Sequence, residues 1–161
     1  MRVCGVDPGA QGALAIVETG TRKLADIINM PIIDTGKERY VDPAVLLDWI
    51  ERWAPERIVV ERLHAMPVSG SIGNFQSGST YGSLLATLSL ALVPVETVPP
   101  ATWKKRAGLS KDKALSISLA QQTFGNHDWF KKIRGTGPAD GRAEAALIAL
   151  YGWKVEARAA A

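Results

Sequence analysis

The stretch MRVCGVDPGAQGALAIV, residues 1–17, sets two short apolar runs, Val3–Val6 and Gly12–Val17, around Asp7-Pro8-Gly9-Ala10-Gln11. Runs of this length, rich in β-branched side chains and split by Pro-Gly, predict an antiparallel hairpin. Asp7 then falls on the last rung of a buried strand. A carboxylate there is costly unless it is paired, hydrogen-bonded or bound to a metal. Gly9 and Gly12 permit the turn and a close approach of backbone or ligand. For Asp7 alone, capping of the turn is a sufficient explanation. Two further acidic features change its meaning.

The first lies on a second apolar run. Lys23–Met30 predicts a third strand completing a meander, and Pro31–Tyr40 a polar connection centred on Gly36. Asp42-Pro43 reads as an N-cap and first helical residue. Val45, Leu46, Trp49, Ile50 and Trp53 follow at helical spacing until Ala54-Pro55, and core packing accounts for that face. Arg57–Glu61, RIVVE, is apolar up to a terminal carboxylate, the pattern of a central parallel strand. A right-handed crossover puts it beside the first strand, so Asp7 and Glu61 meet at the sheet edge where α/β folds bind ligands. Adjacent buried carboxylates repel unless a cation lies between them.

The second feature is ADGRAEAALIALY, Ala139–Tyr151, which predicts a helix. Asp140 and Glu144 are four apart and so share one face, although a helix N-terminus favours acids on its own account. Asp7, Glu61, Asp140 and Glu144 are hard oxygen donors with no Cys or His cluster. Such a set selects Mg²⁺, with Mn²⁺ as its substitute, over zinc. Two ions per site, about 3.5–4 Å apart, suit an in-line displacement at phosphorus. The chemistry indicated is phosphodiester hydrolysis.

Composition agrees. At 161 residues, 47% apolar and 22% charged, the chain predicts one globular domain over 1–153, with a frayed tail over 154–161. Net charge is +3, yet residues 101–134 carry eight Lys/Arg against two Asp. That balance suits a grip on phosphates, and equally a solvated surface. Lys104, Lys105, Lys111 and Lys113 gather where a helix over Ala101–Ala107 meets another over Asp112–Phe124. Lys131 and Lys132 follow Trp129-Phe130 in the polar segment Gly125–Pro138, which reads as mobile or as touching DNA. Cys4, the single cysteine, reads as a small buried hydrophobe. The opening residues, with Asp7 inside a strand pattern, are not expected to act as a signal peptide, and the run Leu84–Val95 is too short to span a bilayer. A soluble cytoplasmic protein without membrane contact is expected.

Between Glu61 and the basic segment lies HAMPVSGSIGNFQSG, His64–Gly78, which predicts a loop, then a helix over Ser79–Leu92 and a strand over Pro94–Val98. Gly78, Gly82, Ser83 and Ala86 allow that helix to pack closely on the sheet or on a second subunit. Phe75 reads either as a base-stacking wedge or as an anchor of the loop to the core.

GVDPGAQGALAIV, VVERLHAMP, NFQSGSTYG, PATWKK and DGRAEAALIA, in this order, span nearly the whole chain. Together they resemble RuvC-like Holliday junction resolvases, and within them the shorter crossover junction endodeoxyribonucleases of bacteriophages. The resemblance implies an α/β, ribonuclease H-like fold with a five-stranded mixed sheet flanked by helices. It also implies a homodimer that makes paired symmetric nicks in four-way DNA junctions with divalent metal. Asp7 and Glu61 match the strand-end metal ligands, Glu144 the helix acid usually written Asp, and Asp140 the acid or histidine one turn earlier. Lys104 and Lys113 match basic positions that meet phosphates, and Phe75 falls in the junction-probing loop.

Two symmetric cuts call for a two-fold axis, and the helix over Ser79–Leu92 is the candidate interface. Three alternatives stand beside this reading. One is a related nuclease for flaps, forks or RNA–DNA hybrids. The second is a non-catalytic junction-binding protein. The third is a nucleotide-binding protein of the actin and sugar-kinase group, whose fold needs two such halves, for which 161 residues are expected to be too few.

Overall fold

The structure, a computed structural model, describes residues 1–65, 69–110, 113–131 and 139–159. Strands β1 (Arg2–Asp7), β2 (Ala13–Glu18) and β3 (Lys23–Asn29) form the expected meander, with Val3 opposite Val17, Asp7 opposite Ala13, and Ala13 opposite Asn29. The β1–β2 turn closes with Gly12 N–H donating to the Gly9 carbonyl at 3.0 Å. Gly9 sits at φ +130°, and a Cβ on Gly12 would stand 2.0 Å from the Asp7 carbonyl oxygen. The turn at the end of Asp7's strand therefore requires both glycines.

Residues 31–40, expected as a plain polar connection, instead hold a small hairpin, β4 (Ile32–Asp34) and β5 (Arg39–Val41). The Asp34–Arg39 ion pair at 2.8 Å and Thr35–Glu38 turn bonds hold it. Strands of only three residues carry too little periodicity to be seen in sequence. Helix α1 (Pro43–Trp53) matches its expectation: the Asp42 carboxylate accepts from the Ala44 and Val45 amides, Pro43 opens the helix, and Ala54 at φ 42° ends it.

Strand β6 (Arg57–Glu61) runs parallel to β1, with Val3 opposite Arg57 and Val6 opposite Val60. Helix α2 (Gly70–Ser89) follows, then β7 (Val95–Val98), parallel to β6. The five-stranded mixed sheet has the order β3-β2-β1-β6-β7. The loop expected over 64–78 is thus corrected, because from Gly70 onward it is helix. Gly and Ser lower helix propensity, but Leu84 and Leu88 are buried against the sheet and α1 side. Once that half is docked, each further residue adds a hydrogen bond without a new nucleus.

Helices α3 (Pro100–Ala107), α4 (Lys113–Phe124) and α5 (Ala139–Ala159) complete the chain, with a 3-10 turn at Asp128–Phe130. α5 continues past its expected end at Tyr151. Trp129-Phe130, read as mobile or as touching DNA, is anchored instead. Phe130 is buried in the core, and the Arg142 guanidinium donates to the Trp129 carbonyl at 2.6 Å and the Lys131 carbonyl at 3.1 Å.

Strand alternation divides the core into two layers. Val3, Ala13, Ala15, Val17 and Val59 face α5, while Cys4, Val6, Leu14, Ile16, Ile58 and Val60 face α1 and α2. Burial pushes the Cys4 thiol above its ordinary range, as befits a core residue rather than a nucleophile. Among the described residues, no helix is long and apolar enough to cross a membrane.

Candidate metal centre

Two strands and one helix bring the acidic residues together. Because β1 and β6 run parallel with Val6 opposite Val60, Asp7 and Glu61 leave the sheet at the same C-terminal edge. Helix α5 crosses β1 at backbone contact. A Cβ on Gly5 would lie 2.1 Å from the Ala145 carbonyl oxygen and 2.3 Å from the Ala149 nitrogen. Ala143, Ala145, Ala146 and Ala149 are all buried, so small side chains on both elements permit this approach. It carries Glu144 to the strand ends. Carboxylate oxygens of Asp7, Glu61 and Glu144 then lie within 4.8 Å of one another.

Three donors stand around this cluster. The buried Trp103 indole N–H donates to Glu61 Oε2 at 2.6 Å. Lys104 Nζ donates to Glu144 Oε1 at 2.9 Å, and Ser116 Oγ reaches the same oxygen at 3.0 Å. Trp103 and Ser116 are residues that the sequence did not single out. Trp103 and Ala107 sit one turn apart on the inner face of a basic helix, and Ser116 is a polar residue on the buried face of α4. Those positions were the available signals.

Burial drives the Asp7 carboxyl well above its ordinary value, and Glu144, Glu61 and Asp140 add repulsion that Lys104 opposes. Glu61 is raised too, first by burial and then by Glu144, with the Trp103 hydrogen bond and Lys104 working against the shift. Three carboxylates held against one ammonium leave negative charge that a hard divalent cation would neutralise, and their oxygens are the donors such a cation prefers. The residues present fit that group.

Asp140 stands outside this trio. It borders a polar cleft of about 420 Å³ with Asp7, Arg39, Gln76 and Gly141. On the Glu61 side, Arg62, His64, Lys104 and Lys105 rim a second pocket of about 700 Å³ with Pro99, Pro100 and Leu109. Lys104 is therefore drawn into the acidic cluster, while Lys105 is exposed. Lys113 opens α4. Lys131 is exposed and pairs with Asp128 at 2.7 Å. Lys111 and Lys132 lie outside the described residues. Phe75 lies on α2 with 73% of its surface exposed, so it does not anchor that segment to the core.

No protein-family model matches the chain, and no curated protein matches it. Solved structures do. Thermus thermophilus RuvC in complex with Holliday junction substrate aligns with a TM-score of 0.69 at 18% identity, over 98% of this chain and 96% of that one. The yeast mitochondrial Holliday junction resolvase aligns with a TM-score of 0.56 at 16% identity, over 98% of this chain and 80% of that one. The fowlpox virus Holliday junction resolvase gives 0.59 at 17% identity, over 96% and 99% of the two chains. The chain has the fold of RuvC, a ribonuclease H-like fold with a five-stranded mixed sheet.

Proposed function

We propose that the chain is a metal-dependent endonuclease that resolves four-way DNA junctions by paired symmetric nicks. The observation that carries this reading is the cluster of Asp7, Glu61 and Glu144 at the C-terminal edge of a RuvC-like sheet. Those three residues, with Asp140 one helical turn from Glu144, hold two Mg²⁺ ions, for which Mn²⁺ substitutes. When bound, such ions neutralise the carboxylates and supply Lewis acidity for displacement at phosphorus.

The rest of the chain binds and orients the DNA. Lys104 and Lys105 on α3, Lys113 at the start of α4, and Lys111, Lys131 and Lys132 offer charge to phosphates and position the strand. Phe75, exposed on α2, offers a ring for stacking on bases opened at the crossover. Two opposing strands require two sites, which a homodimer supplies. Ser79, Gly82 and Ala86 form an exposed small-residue face on α2, continued by exposed Leu90 and Leu92, and this is the proposed interface. We place the protein in a bacterial cytoplasm, that of the host if a phage encodes it.

Cleavage of a labelled four-way junction beside matched flap, fork and duplex DNA, in Mg²⁺, Mn²⁺ or EDTA, tests the reading. Paired symmetric nicks that need metal are the expected result. Equal cutting of all branches would withdraw the junction specificity, and tight junction binding without cutting in any metal would withdraw the enzyme.

A further inference from the structure

Trp103 and Ser116 stand behind the carboxylate cluster, on helices that pack against α5. Trp103 is fully buried, and its indole carries one N–H and no acceptor. Left unpartnered, that N–H would be costly, and Glu61 Oε2 satisfies it at 2.6 Å. Holding one oxygen of a planar carboxylate sets the direction of the other. Ser116, also buried, does the same for Glu144, whose Oε1 it reaches at 3.0 Å. Glutamate has three rotatable side-chain bonds, so a Glu at a strand end or on a helix needs such a tether to stay in place. Asp7 is a shorter acid at the end of β1, with one rotatable side-chain bond fewer.

The charge of these donors matters. Lys104 on Glu144 is a cation and competes with any metal for the carboxylate. Trp103 and Ser116 are neutral, so they orient the acids without cancelling the charge that attracts a cation. We infer that Trp103 and Ser116 are positioning residues: neutral donors on α3 and α4 that pre-set Glu61 and Glu144 for a divalent cation. This inference rests on the metal-centre reading above. Partners behind metal ligands change affinity by about 10–100-fold when removed, and a loss of that size is expected here.

The test uses Mn²⁺ itself, with the full chain and no DNA. Free Mn²⁺ is read by electron paramagnetic resonance for the native protein, Trp103→Phe and Ser116→Ala, alongside a thermal melt in EDTA. The expected result is a Kd about 10–100-fold weaker in each variant. In a Glu61→Gln background, Trp103→Phe should add nothing, because the pair acts as a unit. A purely structural role would lower Tm and leave Kd unchanged, and that outcome in both variants overturns the inference. Ser116→Ala removes one oxygen atom, so it decides the matter if Trp103→Phe does not fold. Failure of the native protein to bind Mn²⁺ would instead overturn the metal-centre reading itself.

Discussion

Lys104 Nζ lies 2.9 Å from Glu144 Oε1, which makes the ammonium the cation closest to hand for three clustered carboxylates. Both partners are mostly buried, so solvent screens the pair little. In EDTA, Lys104→Ala should cost about 2–3 kcal/mol, because it leaves the acids facing one another uncompensated. Saturating Mg²⁺ or Mn²⁺ should return most of that loss, since a bound cation stabilises the folded state by mass action. Thermal melts with and without metal read both numbers. An equal deficit in the two conditions would mean that lysine and metal do not share Glu144.

Asp7 has a native pKa raised by burial and by its acidic neighbours. Between the ordinary carboxylate value and the raised one, the native state holds a proton that the unfolded chain has lost. Unfolding free energy therefore falls as pH rises through that window, and Glu61, raised as well, adds to the slope. Asp7→Asn removes its share. In EDTA the variant should be more stable than the native protein at pH 8 and little different near pH 4, where Asp7 is protonated in the native fold. Urea melts across that range check the sign, and parallel profiles for the two proteins would refute it. The same substitution should abolish cleavage while preserving junction binding, because it removes charge near a phosphate.

What could be read from the sequence was what local chemistry decides. Asp42-Pro43 announced α1 because a cap and a fixed φ act within one turn. The juxtaposition of Asp7 and Glu61 followed from setting β6 parallel beside β1 through a right-handed crossover. Residues 70–78 escaped because Gly70, Gly73 and Gly78 argue against helix locally, and the docking that sustains α2 is at Leu84 and Leu88. Trp103 and Ser116 escaped for a different reason: their partners, Glu61 and Glu144, are 42 and 28 residues away. No spacing rule encodes a contact between side chains on separate elements.

Gly5 and Gly141 separate the fold from the site. A Cβ on Gly5 meets the backbone of α5 at 2.1 Å and 2.3 Å, where nothing can give. Gly5→Ala should cost about 3 kcal/mol or more, as overpacking does at its upper end. On Gly141 the added carbon meets Gln11's carbonyl oxygen at 2.9 Å and Asp7 Oδ2 at 3.0 Å. Alanine there gains about 1 kcal/mol of helix propensity, which offsets part of the clash with the Gln11 backbone, so Gly141→Ala should lower Tm less than Gly5→Ala does. Displacing the Asp7 carboxylate should nevertheless reduce junction cleavage by about 10–100-fold. Normal cleavage by a folded Gly141→Ala protein would separate Asp7's position from the chemistry.

Phe75 offers the sharpest division between a structural and a functional side chain. With 73% of its surface exposed, truncation removes little buried area, so Phe75→Ala should shift stability within about 0.5 kcal/mol. Stacking of a base on an aromatic ring is worth about 1–3 kcal/mol, and that is what the variant should lose on a junction whose central bases are open. Binding to intact duplex, where no base is available to the ring, should be unaffected. Fluorescence anisotropy on the two DNAs, with cleavage measured at saturating protein, gives the comparison. Equal losses on junction and duplex, or a large fall in Tm, would return Phe75 to a packing role and remove α2 from contact with the crossover.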